Sequence, residues 1–220
     1  MASSPPVWQA EVFPYLSVWY ERHGSNAGVE IEARVRGGID GAVFASVLAK
    51  LRAFGGWSAT SVEETLDVSF ASETRATFAA GSQAPIFITK DVVEARIDVV
   101  VMAGRARAPL AMRISCVTES SAPPPMIGAD APRNFRFKRR YKFARKGEFV
   151  FDLTEVRAGG TRDEAAAAQP AFEVEVEWVG QLRAKEIAGP GGAKLLAEKF
   201  IAKIQDMSDM VVDAMGVGGR

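Results

Sequence analysis

Two short segments of the chain place glutamate at every second position. The first contains Glu30 and Glu32, and the second contains Glu173, Glu175 and Glu177. In strands, the glutamates of each segment would share one face at a spacing of about 7 Å, because a strand rises about 3.3 Å per residue. Carboxylates held this close repel one another unless positive charge compensates them. Their oxygens are hard ligands that suit Mg²⁺ or Mn²⁺.

A third segment repeats basic residues at the same spacing. Residues 135–143 place Arg136, Lys138, Arg140 and Lys142 on one face of a predicted strand. This face could also compensate the glutamates if acidic and basic strands lie opposite each other across an enclosed lumen. A divalent cation and the basic strand can act together, so the two forms of compensation do not exclude each other.

An ordinary antiparallel sheet with one solvated face is the alternative interpretation. On such a sheet the alternating charges would serve only solubility. We favour the charged lumen, because a barrel of this kind turns its apolar faces outward. The amphipathic helices predicted at both ends of the chain would then cover those outward faces.

The periodicity of apolar residues predicts helices at the two ends of the chain and strands between them. Residues 7–22 and 191–215 carry apolar side chains at spacings of three and four, and Asp40 is a candidate cap for another helix. The predicted strands are 29–36, 63–70, 73–79, 84–90, 94–102, 109–119, 135–143, 148–156 and 171–179. We expect an α+β fold: a closed antiparallel eight-stranded β tunnel with a charged lumen, within residues 29–180, flanked by N- and C-terminal amphipathic helices.

Composition narrows the class of protein. The 220 residues, 48% of them hydrophobic, suffice for a single domain over 1–220. Lysine plus arginine and aspartate plus glutamate both number 27, so no net field attracts duplex nucleic acid or an anionic membrane. Cys116 is the only cysteine, which fits a reducing compartment. With no signal sequence and no stretch of about 20 apolar residues, we expect a soluble, intracellular protein with no membrane partner.

The three charged segments, taken in order, resemble motifs of the triphosphate tunnel metalloenzymes. Within that family they are most similar to the mRNA-capping RNA triphosphatases of fungi, protozoa and large DNA viruses. Glu30-Ile31-Glu32 resembles the first Glu-x-Glu strand, and residues 173–177 resemble the last, Glu-x-Glu-x-Glu strand. Residues 136–140 resemble the Arg-x-Lys-x-Arg strand that grips phosphate. The resemblance covers about residues 29–180, and three motifs in the correct order are more specific than any one.

Weaker correspondences fall between the three motifs. Arg75 lies in a segment similar to the family's arginine strand, and Lys90 lies where a lysine is expected. Arg113, with Glu119 nearby, resembles the following strand, and Asp152 lies on a segment similar to the strand after the basic one.

The resemblance implies a role for each group of residues. Glu30, Glu32 and Glu177 would bind Mg²⁺ or Mn²⁺, and Glu173 and Glu175 would hold the metal's waters or orient the nucleophile. The triphosphate would be neutralised by Arg75, Lys90, Arg136, Lys138 and Arg140. Arg113 and Glu119 complete the candidate catalytic set, and Asp152 would brace the arginines. Water would attack directly, because phosphoryl transfer needs mainly positioning and charge stabilisation.

Other routes to phosphate hydrolysis lack their residues. The chain has no Gly-x-x-x-x-Gly-Lys-Ser/Thr loop, and no arginine follows Cys116 at the spacing of a cysteine phosphatase. Its one histidine, His23, lies in a predicted loop, which removes Ser-His and Cys-His nucleophile pairs.

Three functions therefore stay open. The leading hypothesis is hydrolysis of the γ-phosphate of 5′-triphosphate RNA in cap formation, with manganese-dependent hydrolysis of nucleoside triphosphates and a guanylyltransferase as partner, in the nucleus, the cytoplasm or a viral factory. The second is a tunnel enzyme acting on tripolyphosphate, thiamine triphosphate or a nucleotide; Arg34 stands where that branch more often has lysine. The third is a non-catalytic module that binds a polyanion. The sequence does not determine the oligomeric state.

Overall fold

Helices lie at both ends of the chain, as the apolar periodicity predicts. The computed structural model describes residues 6–23, 29–82, 84–125, 130–179 and 191–216. Its helices are α1 (Val7–His23), α2 (Gly41–Ala53), α3 (Arg162–Ala167) and α4 (Gly192–Ala214). Helix α2 begins where expected, because the Asp40 carboxylate accepts a hydrogen bond from the backbone N–H of Val43 at 2.8 Å.

The strands close into the predicted antiparallel tunnel. They are β1 (Val29–Val35), β2 (Ala59–Phe70), β3 (Arg75–Ala79), β4 (Ile86–Ala103), β5 (Ala108–Ser121), β6 (Pro132–Arg145), β7 (Phe149–Gly159) and β8 (Ala171–Trp178). The order around the barrel is β1-β5-β4-β3-β2-β6-β7-β8, and every neighbouring pair is antiparallel. The predicted eight-stranded barrel flanked by helices is confirmed.

One pair of predicted strands is a single strand in the structure. Segments 84–90 and 94–102 join in β4, whose pairing with β5 shifts register between Val92 and Ile97. Such a bulge breaks the strict alternation of side chains. The sequence pattern therefore indicates two strands where the backbone forms one.

The apolar core lies outside the barrel wall, between the strands and the helices. Ile31 and Ala33 of β1, and Val174 and Val176 of β8, are fully buried on the outer face. Helices α1 and α4 pack over this face; Trp19, for example, meets the ring of Trp178 edge-on at 6.0 Å. Each fully buried valine or isoleucine side chain contributes about 1.5–3 kcal/mol to stability. Because this outer core stabilises the fold, the lumen does not need an apolar core and can hold charged residues.

A long hairpin of β4 and β5 extends past the closed barrel and is anchored by α4. Its turn contains Gly104, at a φ of 68°, where an added Cβ would lie 2.6 Å from Val212 of α4. The Gly104 N–H also donates to the Asp209 carboxylate of α4 at 2.7 Å. These contacts hold the turn of the hairpin against α4. None of the helices in the ranges that the structure describes is long and apolar enough to cross a membrane.

Candidate active site

The two glutamate strands are neighbours, and their carboxylates form one acidic wall of the lumen. Glu32 of β1 pairs directly with Glu177 of β8, and Arg34 pairs with Glu175. The Arg34 guanidinium Nη1 lies 3.6 Å from Glu175 Oε1. Two segments more than 140 residues apart therefore supply adjacent carboxylates, as expected from their shared alternation.

Burial, together with the charges of neighbouring carboxylates, raises the pKa values of Glu177 and Glu175. Burial, followed by the charges of Glu30 and Asp152, raises the pKa of Glu177 to about 8. Burial, followed by the charges of Glu32 and Asp152, raises the pKa of Glu175 to about 7. The acidic wall thus carries more negative charge than its desolvated surroundings favour, and a cation would relieve this strain.

The basic strand β6 faces the lumen in the predicted register. Arg136 Nη2 donates to Glu173 Oε1 at 2.8 Å, and Arg140 Nε lies 3.1 Å from Asp152 Oδ2. Lys138, between the two arginines, is buried. Burial lowers the pKa of Lys138, an effect that the charge of its carboxylate partner only partly offsets.

That carboxylate belongs to Asp67, which the sequence analysis did not select. Lys138 Nζ donates to Asp67 Oδ2 at 2.5 Å, and Thr77 Oγ1 donates to Asp67 Oδ1 at 2.9 Å. Burial would raise the pKa of Asp67, but Lys138 and Arg75 together hold it below its usual value. The sequence pattern that could have identified Asp67 is its position on β2, four residues after Glu63. This spacing places both side chains on the same face of the strand.

A second cluster joins the weaker motif residues. Arg75 Nη2 donates to Glu119 Oε1 at 2.9 Å, and Lys90 Nζ lies 3.6 Å from the same oxygen. Lys90 Nζ also lies 3.3 Å from Glu30 Oε2 and 3.6 Å from Glu32 Oε2. These five predicted residues therefore meet inside the tunnel, although they lie on β1, β3, β4 and β5.

Asp152 has the contact that a bracing role requires. It is 2% exposed, lies beside Arg140 and accepts a hydrogen bond from Thr154 Oγ1 at 2.9 Å. Burial raises the pKa of Asp152 despite the nearby Arg140, while Asp152 with Glu175 and Glu177 raises the pKa of the Arg140 guanidinium against the effect of its burial.

Arg113 lies apart from the other predicted residues, at the rim of the tunnel. Its Nε and Nη2 donate to the two carboxylate oxygens of Asp98 at 2.9 and 3.2 Å. Arg36 Nη1 contacts the same carboxylate at 3.0 Å. The structure does not bring Arg113 to Arg75 or Lys90, and a role for it in catalysis stays a prediction.

Two arginine N–H donors inside the tunnel lie near carboxylates but make no aligned hydrogen bond to any described residue. They are Nε of Arg75 and Nε of Arg140, and both atoms are buried. The two side chains, together with Lys138, line a cavity of about 120 Å³. Buried N–H donors are normally paired, so this cavity is suited to an anion that supplies oxygen acceptors.

The residues predicted to bind metal fit a hard divalent cation by their chemistry. Glu30, Glu32 and Glu177 offer carboxylate oxygens on adjacent strands, as Mg²⁺ and Mn²⁺ require. Within the described ranges, however, no three acidic, histidine or cysteine side chains converge closely enough to hold a metal ion. The ammonium of Lys90 lies between Glu30 and Glu32 instead and serves there as a cation.

Comparison with known proteins shows similarity in structure alone. No protein-family model matches the chain, and no curated protein matches it. The RNA triphosphatase Pct1 of S. pombe is 16% identical and has a TM-score of 0.71, with 95% of each chain covered. A second structure of Pct1, in complex with the Spt5 CTD, is likewise 16% identical, with a TM-score of 0.70 and 95% of each chain covered.

A viral protein shows the same similarity. The RNA triphosphatase domain of the mimivirus mRNA capping enzyme is 13% identical and has a TM-score of 0.65, over 96% of this chain and 99% of that chain. These coverages span the tunnel and its helices together. The chain therefore has the tunnel fold of the RNA triphosphatases, as its resemblance to the triphosphate tunnel metalloenzymes predicted.

Proposed function

We propose that this chain hydrolyses the γ-phosphate of 5′-triphosphate RNA, the first step of cap formation, with Mg²⁺ or Mn²⁺ as cofactor. One observation carries the proposal: inside a single closed tunnel, the acidic wall on β1 and β8 forms ion pairs with the basic residues of β4 and β6, which together with those of β3 we call the basic wall. Carboxylates suit the metal, and arginine and lysine suit the triphosphate. In an open sheet with one solvated face, the acidic and basic strands would have no reason to form such ion pairs.

The basic wall would bind the triphosphate through charge-assisted hydrogen bonds. Arg75 and Arg140 each have a buried Nε donor that makes no aligned hydrogen bond within the described residues, and both side chains line the same cavity as Lys138. Phosphate oxygens would satisfy these donors without moving the guanidiniums far, because Glu119 and Asp152 already fix their directions. Such preorganisation favours charge that develops in the transition state.

The acidic wall would orient water and hold the metal. Glu30, Glu32 and Glu177 would bind the cation, which would supply positive charge to the phosphate oxygens during hydrolysis. Glu173 and Glu175 would orient the attacking water in line with the γ-phosphate. The proton released by this water would be accepted by Glu175, because its burial and the neighbouring carboxylates raise its pKa and make it a stronger base than a free glutamate.

The remaining predicted residues would position this machinery. Glu119 holds Arg75, Asp152 holds Arg140, and Lys90 bridges the two walls through Glu30, Glu32 and Glu119. Lys90 would exchange these carboxylates for phosphate oxygens when metal and substrate bind together. Binding of substrate would thus exchange ion-pair partners among side chains that already lie inside the tunnel.

Two further activities belong to this proposal. All the substrate contacts proposed above are made to phosphate groups, so free nucleoside triphosphates would also be hydrolysed. For this second activity manganese would be the better cofactor. The diphosphate end that the reaction leaves is the substrate of a guanylyltransferase, which we propose as the partner in cap formation.

The test is release of γ-phosphate from 5′-triphosphate RNA with Mg²⁺, Mn²⁺ or a chelator, for the native protein beside Glu32→Ala and Glu175→Ala. Metal-dependent release that both substitutions abolish supports the proposal. Turnover of tripolyphosphate or free nucleotide without turnover of RNA would assign the chain to another substrate of the tunnel class. Binding of all three substrates without turnover of any would leave a polyanion-binding module.

A further inference from the structure

The two ends of the tunnel differ in charge. At the end where β1 finishes and β8 begins, a cavity of about 310 Å³ is lined by Arg34, Arg36, Arg113 and Glu173. We call this end the arginine mouth. Only Glu173 among these four side chains is acidic, and Arg136 of β6 already contacts it.

The opposite end begins at the first residues of β1 and the last residues of β8. Glu30 is the second residue of β1, and Glu177 is the last but one of β8. Glu63 of β2 also faces this end, beside Lys142 of β6 at 2.8 Å. The Lys142 charge at this end is already paired with Glu63, so a polyanion meets less unpaired positive charge here than at the arginine mouth.

Arg36 and Arg113 share one carboxylate partner, which leaves some of their N–H donors available. Asp98 accepts two hydrogen bonds from Arg113 and one contact from Arg36. One carboxylate cannot saturate two guanidiniums, which together offer ten N–H donors. The pair therefore keeps a net positive charge and free donors at the rim of the tunnel.

The backbone beside these arginines leaves the mouth open. Gly37 and Gly38 follow Arg36 with φ values of 77° and 73°. An added Cβ at Gly38 would lie 2.7 Å from the carbonyl oxygen of Phe172, whereas one at Gly37 would meet nothing within 4 Å. Glycine at 38 lets the chain turn tightly against β8, and the space beside Gly37 is available to a ligand.

We propose that the RNA chain behind the triphosphate leaves the tunnel through the arginine mouth, where Arg36 and Arg113 contact its first internucleotide phosphates. The inference rests on the proposed function, because it requires a 5′-triphosphate in the tunnel. A bound RNA must exit by one end or the other, and its phosphodiesters meet a cluster of arginines at the arginine mouth. The arginine mouth therefore favours RNA over free nucleotides as a substrate, because a free nucleotide has no phosphate beyond its triphosphate.

The test compares Arg36→Gln with Lys146→Gln, since Lys146 is an exposed basic residue in the β6–β7 turn at the opposite end. Substrates are a ten-nucleotide 5′-triphosphate RNA and free GTP. We expect Arg36→Gln to raise KM for the RNA roughly three- to tenfold with kcat unchanged. KM and kcat for GTP should not change, which also reports an intact fold. Lys146→Gln should match the native protein, and Arg36→Lys should recover most of the loss.

Binding of the same fluorescent RNA in chelator, measured by anisotropy over a range of salt concentrations, gives a readout that needs no turnover. Arg36→Gln should reduce the salt slope by about 0.7, the value for one phosphate contact of a single strand. Equal losses for RNA and GTP, no loss for RNA, or a larger effect of Lys146→Gln would each overturn the proposal. Failure of the native protein to hydrolyse either substrate would instead count against the proposed function.

Discussion

Lys138 and Asp67 form a buried ion pair between β6 and β2 in the wall of the tunnel. Their Nζ and Oδ2 atoms are 2.5 Å apart, and the two residues are 8% and 4% exposed. Thr77 donates a further hydrogen bond to Asp67. This pair holds a lysine of the basic wall in place although burial opposes its charge.

Substituting Asp67→Asn should destabilise the fold, because it leaves the Lys138 ammonium buried without a counter-ion. Removing one partner of such a pair costs about 3 kcal/mol. Urea unfolding followed by circular dichroism measures this loss directly.

Glu64→Gln on the same strand provides a matched control. Glu64 contacts Arg139 at 3.5 Å, and both side chains are more than half exposed. Exposed pairs of this kind add little stability, so Glu64→Gln should unfold like the native protein. Equal destabilisation by both substitutions would contradict a special role for the Asp67 pair.

Asp152 and Arg140 should be coupled in catalysis if Asp152 acts by directing the guanidinium. We expect Asp152→Asn to lower kcat about tenfold to a hundredfold in the native background. In an Arg140→Lys background the same change should have much less effect, since the group that Asp152 directs is gone. A double-mutant cycle on kcat measures this coupling, and strictly additive losses would show that Asp152 acts independently.

The metal-free protein should lose stability as pH rises. Glu177 and Glu175 have an ordinary pKa of 4.5, and the fold raises these values to about 8 and about 7. A raised pKa means that the folded state binds the proton more tightly, so the contribution is complete below about pH 4.5 and disappears as pH passes through 7 and 8. Burial also raises the pKa of Asp152, which pairs with Glu175 from the neighbouring strand β7, and this adds to the effect.

Thermal unfolding in chelator should therefore show a Tm that falls by roughly 5 to 10 °C between pH 5 and pH 9. Glu177→Gln removes the larger of the two shifts and should flatten this dependence. Saturating Mn²⁺ should raise Tm most at pH 9, where the carboxylates that it neutralises are ionised. A Tm that rises steadily over this range in chelator would contradict the crowding of the acidic wall.

Lys90 should compete with the metal for the carboxylates. Its ammonium lies 3.3 Å from Glu30 and 3.6 Å from Glu32, and replacing it by glutamine removes that positive charge. We expect Lys90→Gln to bind Mn²⁺ about tenfold more tightly in calorimetry without substrate. Turnover should nevertheless fall about a hundredfold, because a phosphate contact is lost.

Lys146→Gln is the control for this experiment, since it makes the same change of charge at an exposed position in the β6–β7 turn. Its affinity for Mn²⁺ should stay near the native value. If Lys90→Gln binds Mn²⁺ no more tightly than Lys146→Gln does, the proposed exchange of partners by Lys90 is wrong.

The alternation of residues along single strands determined much of the site. Glu173, Glu175 and Glu177 share the lumen, and so do Arg136, Lys138 and Arg140, because a strand turns every second side chain to the same face. The same rule assigned the apolar residues between them to the outer core. These features depend on neighbours in the chain, so the sequence alone was sufficient to predict them.

Partners across strands depended on the tertiary structure. Closure of the barrel, with its particular register between distant strands, brought Asp67 to Lys138, Glu119 to Arg75 and Lys90 to Glu30 and Glu32. The same closure placed Arg113 apart from that group. The shift in register along β4 made this single strand resemble two strands in the sequence pattern. A strand's own sequence sets which side chains share a face, whereas the height at which each meets its partners follows from how all the strands pair around the barrel.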